Sequence, residues 1–418
     1  MHNRERSMER QESQTVTDLE TGFHRKDERD GHCRLCGSAE VWKFFEARTL
    51  PLQDGVLWPT EREALDSPTG DVLLVFCRSC SYIDNLMHDT ARMTFAQYNF
   101  SLHSSPAYGK FITALATSLV ERYHLQGKTV LDIGSGGGHF LRELCAIGGN
   151  SGTGIDPSCT PATDETPLAG EVKFIRDYYT PAYADLSADF VTCRHLLDEL
   201  ENPREFLGII RTALRGNPSA VVYVEVPNAL HTFGGGVVWN VGCAKRSWFT
   251  TESLSCLFTM SGFQVLNAGP CYNGEYLGIE ARPSPSAASG SGRGPSGANG
   301  LWPALREFDR AYRAAAAAAE ITVAELRSSG KRIAAWGTGA RAINYFSRHR
   351  LGDIIPYVVD INPRRQGMYL PVTAQRVVSP AFLRDYRPDL ILITNAAYEG
   401  EIRDQATRMG VTAEFMIQ

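Results

Sequence analysis

An apolar stretch running into a glycine-rich turn is the feature that most narrows the folds open to this chain. Val130-Leu-Asp-Ile-Gly-Ser-Gly-Gly-Gly-His-Phe-Leu141 reads as a strand, a turn with glycine at 134, 136, 137 and 138, and the start of a helix. Glycine lets the backbone come close to a ligand and leaves the amides of the helix N-terminus free to receive it. From Thr129 to about Ala281 strands alternate with helices. GTGID, EVKFI, ADFVTC, AVVYVEV and EYLGIEA read as strands, with helical stretches such as HFLRELCAI between them. That order implies a doubly wound α/β sheet. Asp156 closes the strand after the turn, 22 residues beyond Gly134, where a carboxylate suits the two hydroxyls of a ribose. A bare glycine-rich turn could equally hold NAD.

At 418 residues the chain exceeds one typical domain, and its composition divides it. Residues 1–31 are charged with almost no apolar periodicity, and read as a disordered tail. Residues 32–90 carry cysteines and short strand-like runs such as Val72 to Phe76, and residues 91–282 hold the α/β pattern. Residues 283–300 are Ser-, Gly- and Pro-rich and read as a flexible linker. In residues 301–418, Trp302, Leu305, Phe308 and Tyr312 keep helical spacing and lead into six alanines, 314–319, read as a helix surface. A second strand-Gly-helix unit opens at Arg332.

Lysine and arginine total 42 against 47 acidic residues, a net charge of −5. This balance argues against nucleic-acid or polybasic membrane binding, which needs a basic excess. No apolar run is long enough to span a bilayer, and the polar N-terminus does not read as a signal peptide. A cytoplasmic protein acting on a small molecule is expected, with its oligomeric state left open.

In a reducing compartment ten cysteines point to metal binding or burial rather than disulfides. Cys33-Arg-Leu-Cys36 and Cys77-Arg-Ser-Cys80 are two CxxC pairs separated by 40 residues. Each pair can aim two sulfurs at one ion, and together they supply the four ligands of a closed structural zinc site. The expected role is a scaffold. Of the other six cysteines, five read as packing; Cys243 is taken up below.

Asp132 before the glycines, with the GSGGG spacing, resembles motif I of class I S-adenosylmethionine methyltransferases. The resemblance implies cofactor contacts from Asp132, Gly134, Ser135, Gly136, Asp156 and Pro157, with Asp177 beside the adenine amino group. It continues through CRHLLDELENPREFL, residues 193–207, and YVEVPN, residues 223–228.

With the cysteine pairs and AAWGTGARAINYF, YVVDINPRRQGMYLPV and ITNAAYEGEI toward the C-terminus, the layout is similar to the deoxysugar C-methyltransferases of antibiotic pathways. That resemblance covers roughly residues 32–418. It implies a class I methyltransferase Rossmann-like domain between a small zinc-binding domain and a second, C-terminal Rossmann-like domain that helps build the substrate site. Gly337, Gly339 and Asp360 could otherwise mark an NAD site, but WGTG lacks the third glycine of GxGxxG.

The sequence departs from the family at one segment. Where relatives carry a YEHxxYF-type stretch, this chain has Cys243, Ala244 and Lys245, so the usual histidine base is replaced. A lysine there is a poor base unless buried, but can bind an anion. His195 and Glu199, four apart, are read as sharing one face of a helical turn toward the cofactor. Tyr98 and His103 resemble the family's aromatic approach to the site. His195, Glu199, Lys245 and Tyr98 are the catalytic candidates. His231 and Gly234 to Gly236 are a solvated loop that could also form a lid.

Three functions compete. The first is S-adenosylmethionine-dependent methylation of a small-molecule intermediate of specialised, antibiotic-type biosynthesis, away from the usual deoxysugar carbon. The second is intramolecular alkylation or cyclopropane closure with a sulfonium leaving group. The third is a non-catalytic scaffold that binds the cofactor.

Overall fold

The computed structural model describes residues 31–96, 98, 105–159, 170–284 and 301–418. The expected N-terminal tail up to residue 30, most of the linker, and His103 lie outside them.

Near the N-terminus, strands β1 (Val41–Pro51), β2 (Thr69–Cys77) and β3 (Ile83–Asn85) pair antiparallel. Helix α1 (Pro106–Tyr123) follows, capped by Ser105 with proline at its first position. It leads into strand β4 (Thr129–Ile133), helix α2 (His139–Gly148) and strands β5 (Ser151–Ile155), β6 (Val172–Ile175) and β7 (Phe190–Arg194). Helix α3 (Pro203–Ala213) then enters β8 (Val221–Pro227). Strand β9 (Ser247–Trp248), helix α4 (Thr251–Met260) and the hairpin β10 (Phe263–Cys271) and β11 (Tyr276–Pro283) complete this part.

The central sheet runs β10-β11-β8-β7-β4-β5-β6. Strands β4 to β8 are parallel, and only β11 runs against its neighbours. This is the class I methyltransferase fold. Its parallel strands are covered on both faces, which explains why β8 is almost wholly apolar apart from Tyr223 and Glu225.

Helix α5 (Trp302–Ser328) crosses to the last unit. Leu305, Phe308 and Tyr312 bury against β1, with the Phe45 ring 5.3 Å from Phe308 and 4.9 Å from Tyr312. One turn further the alanine run is amphipathic rather than a plain helix surface. Ala316 and Ala319 are buried, because they continue the same 3.6-residue stripe toward Val323 and Leu326. Strand β12 (Ile333–Trp336), helix α6 (Ala340–His349), strands β13 (Tyr357–Val359), β14 (Arg376–Val378) and β15 (Leu390–Ile393), helix α7 (Glu399–Arg408) and strand β16 (Glu414–Ile417) follow. They build a parallel sheet in the order β14-β13-β12-β15-β16, Rossmann-like in its topology.

Two boundaries differ from the sequence reading. Strand β11 continues through Pro283, so the first residue of the expected linker still belongs to the sheet. The N-terminal sheet is not made by its own segment alone. Strand β9, about 160 residues downstream, pairs with β3 as its fourth strand, and Tyr82 Oη lies 2.6 Å from Ser247 Oγ. A chain segment from the central unit is thereby fixed to the cysteine-bearing lobe. Among the described residues no helix is long and apolar enough to cross a membrane.

Candidate active site and metal centre

The four cysteines of the two CxxC pairs converge, their sulfurs all within 4.8 Å of one another. Cys33 Sγ is 3.6 Å from Cys80 Sγ, and Cys36 Sγ is 3.6 Å from Cys77 Sγ. A tetrahedral zinc–thiolate site requires sulfur separations of roughly 3.8 Å. The cluster could therefore hold zinc with modest adjustment. Around it, Asp84 takes the Arg246 guanidinium at 2.8 Å and Arg34 at 3.4 Å, while Glu201 meets Arg34 at 3.2 Å and Arg246 at 3.4 Å. His88 Nε2 lies 3.1 Å from the Ala244 carbonyl. The cysteine lobe thus grips residues 244–248, the segment that carries Lys245.

A cavity of about 670 Å³ lies where the three units meet. Its wall includes the turn after β4, the end of β7, Asp54 and Tyr98 from the N-terminal side, and the Trp336 to Ala342 turn of the C-terminal unit. Gly134 and Gly136 have φ of 73° and 52°, the left-handed conformation that favours glycine. A Cβ on Gly136 would meet nothing within 4 Å, so the turn presents open space to the cavity. Ser135 Oγ is buried without a hydrogen-bond partner. Asp156 accepts from the Gly136 amide at 2.9 Å and from the Ser158 amide and hydroxyl, each at 2.6 Å, and stays in the cavity wall. An open glycine cradle, an orphaned hydroxyl and a carboxylate on the adjacent strand fit the methionyl and ribose groups of S-adenosylmethionine. Pro157 lines the same wall. Asp132 is buried and accepts from Thr192 Oγ1 at 2.5 Å. Burial raises its carboxyl to about 6, against the opposing pull of Thr192 and Arg194.

Asp177, expected beside the adenine amino group, is exposed at the end of β6. Its exposed carboxylate accepts from Tyr183 Oη at 2.6 Å and the Tyr178 amide at 2.8 Å, and it is absent from the cavity wall.

The catalytic candidates separate. His195 and Glu199 both reach the cavity, but not from a helical turn. His195 has φ 56°, and the next helix begins only at Pro203. The left-handed residue lets the chain leave β7 sharply and carries the imidazole over Tyr276, ring centroids 4.5 Å apart. His195 Nε2 is 3.0 Å from Glu225 Oε1. Glu225 is fully buried on β8 and bonds to Arg194 Nη2 at 2.6 Å and Tyr223 Oη at 2.9 Å. Burial would raise this carboxyl, but Arg194 and His195 outweigh it and hold it down at about 2. Arg194 in turn donates to Tyr108 Oη at 2.7 Å. Sequence reasoning passed over Glu225. The available signal was a lone acid in an otherwise apolar strand, since a buried charge requires a partner.

Lys245 lines the cavity and pairs with Asp198, Nζ to Oδ2 3.1 Å. Burial works against its charge, yet Asp198, Asp54 and Glu199 outweigh that and keep it protonated. Cys243 has no place in the site. It is buried against the Leu50 and Asp71 carbonyls, 4.0 and 3.8 Å away, packing between β1 and β2. Residues 243 and 244 form a turn, so Cys243 packs on the N-terminal sheet while Lys245 reaches the cavity. Tyr98 reaches the cavity, packed on Gly55 so closely that a Cβ there would collide with its ring.

On the C-terminal side, Thr338 Oγ1 donates to Asp360, and Arg341 reaches Asn240 at 2.7 Å, Asn395 at 3.2 Å and Glu275 at 3.4 Å. His231 Nε2 is 3.3 Å from Arg341, in a π-helical turn, so this segment is tied to the C-terminal unit rather than left as a solvated loop.

A family model described as a methyltransferase domain matches residues 106–268, and one described as a C-methyltransferase C-terminal domain matches residues 302–417. The chain has the domains of a class I methyltransferase. The methyltransferase domain shares 32% identity over 109 residues with the mitochondrial ubiquinone biosynthesis O-methyltransferase of Schizosaccharomyces pombe. That match covers 24% of this chain and 39% of the relative, so the chain spans well under half the length of that curated protein. Solved structures similar to it include the 1,6-didemethyltoxoflavin-N1-methyltransferase of Burkholderia thailandensis, at 16% identity and TM-score 0.33, covering 43% of this chain and 81% of that one. Another is the magnesium protoporphyrin IX methyltransferase of Synechocystis PCC 6803, at 17% identity and TM-score 0.34, covering 43% and 84%.

Proposed function

We propose that this enzyme methylates a small-molecule intermediate of specialised, antibiotic-type biosynthesis in the cytoplasm, using S-adenosylmethionine and a structural zinc ion. The deoxysugar carbon of the resembling family is not its target, because Lys245 replaces that family's histidine base. The observation that carries the reading is the His195–Glu225 pair, 3.0 Å apart, on the same cavity as the glycine turn.

Asp132, Gly134, Ser135, Gly136, Asp156 and Pro157 would hold the cofactor, which supplies an activated methyl group when bound. His195 takes a proton from the acceptor. Glu225 fixes the imidazole's orientation and stabilises its protonated form, while Arg194 keeps Glu225 ionised. Lys245, neutralised by Asp198, stays a cation and positions the wall beside Tyr98. The C-terminal turn and Arg341 close the cavity against water and hold the acceptor in reach.

Incubation with methyl-labelled cofactor and candidate acceptors tests the reading. Label in the product supports it. A product formed without label would replace it with ring closure, and S-adenosylhomocysteine binding without turnover would leave a cofactor-binding scaffold. No binding of S-adenosylhomocysteine at all would overturn the cofactor assignment itself.

A further inference from the structure

Glu199 is only 7% exposed, and that exposure lies on the cavity wall. Among the described residues its carboxyl has no hydrogen bond and no ion pair. The charged groups around it come from separate segments: Asp198 beside it, Lys245, Asp54 from the N-terminal side, and the Tyr98 phenol. The one cation of this set is already committed, since Lys245 Nζ bonds to Asp198 Oδ2 at 3.1 Å. Asp54 is equally buried, and its Oδ2 has no partner. A further negative charge on Glu199 would be buried without a counter-charge or a donor. An isolated carboxylate in such a place takes up a proton.

We propose that Glu199 is held as the neutral carboxylic acid and offers its O–H into the cavity as a hydrogen-bond donor to an oxygen of the acceptor. The acceptor class this selects carries a carbonyl or enolate oxygen next to the atom that is methylated. The inference rests on the methyltransferase reading of the site. Its physical value is that a neutral acid binds an oxygen that gains negative charge, where a carboxylate would repel it. His195 and Glu199 then divide the work, one accepting a proton and the other stabilising the charge left on oxygen. Burial raises the Glu199 carboxyl well above the ordinary range, and Asp198 adds to the shift while Lys245 opposes it.

The test is infrared difference spectroscopy on the full chain with its zinc, with no acceptor needed. At pH 7 a protonated-carboxyl band is expected that shifts when glutamate alone is carbon-13 labelled, persists in Asp54→Asn and is lost in Glu199→Gln. S-adenosylhomocysteine calorimetry on Glu199→Gln verifies that the variant is folded. If that variant fails to fold, the labelled wild-type spectrum decides by itself. Absence of a glutamic-acid band at pH 7 overturns the proposal, as does a band that survives in folded Glu199→Gln. Neither result touches the methyltransferase reading, which stands or falls with S-adenosylhomocysteine binding by the unaltered chain.

Discussion

Glu225 Oε1 lies 3.0 Å from His195 Nε2 and 2.6 Å from Arg194 Nη2, so one buried carboxylate serves two neighbours at the end of β7. Its charge is matched inside the sheet by Arg194. Replacing His195 by Ala is expected to lower kcat by roughly 100- to 10,000-fold, with S-adenosylhomocysteine affinity nearly unchanged. Glu225→Gln removes the partner of a buried arginine and is expected to cost about 3–5 kcal/mol of stability as well. Single-turnover kinetics and urea unfolding separate the two effects. A fully active His195→Ala enzyme would sink the assignment.

Gly136→Asp should abolish cofactor binding. The position has φ 52°, which disfavours a side chain, and its amide donates to Asp156 at 2.9 Å. The added carboxylate would fill the open cradle and repel Asp156. Calorimetry with S-adenosylhomocysteine should show no heat above dilution. Unchanged affinity would refute the role of the turn.

Cys36→Ser leaves three thiolates for the ion and is expected to lose stoichiometric zinc. Because the cysteine lobe grips residues 244–248 through Asp84 and His88, the loss should spread to the Lys245 segment. Metal analysis reads the first effect, and hydrogen exchange at residues 244–248 the second. Full zinc content in the variant would overturn the site.

Asp132 gives a pH signature of unusual sign. Its folded carboxyl titrates at about 6, above an ordinary aspartate, so the folded state holds the proton longer than the unfolded chain. Stability from this group is therefore present at low pH and declines as pH rises from about 4 to 6. The size is on the order of 3 kcal/mol. Asp132→Asn should flatten that slope in unfolding experiments. Glu225 acts in the opposite direction, because its depressed value makes its contribution fade only as pH falls from about 4 toward 2.

Local patterns were enough for the glycine turn, the alternation of strands and helices and the two CxxC pairs. Each is a short-range requirement: a left-handed φ at Gly136, a period of apolar residues, two sulfurs within reach of one ion. The alanine run shows the limit. Its composition suggests a plain helix surface, yet Ala316 and Ala319 are buried because the helix lies across other units. His195 and Glu199 were legible as cavity residues, but the spacing of four suggested a helix that the left-handed His195 forbids.

By itself the sequence determined the two Rossmann-like units, the position of the glycine turn and the two CxxC pairs, because those depend on neighbours along the chain. Only the tertiary structure decided that Glu225 stands behind His195 and that Cys243 packs between β1 and β2. It also decided that strand β9 belongs to the cysteine lobe and that Lys245 is consumed by Asp198. These are contacts between residues far apart in sequence, where the cost of an unpaired buried charge selects the partner and no local pattern names it.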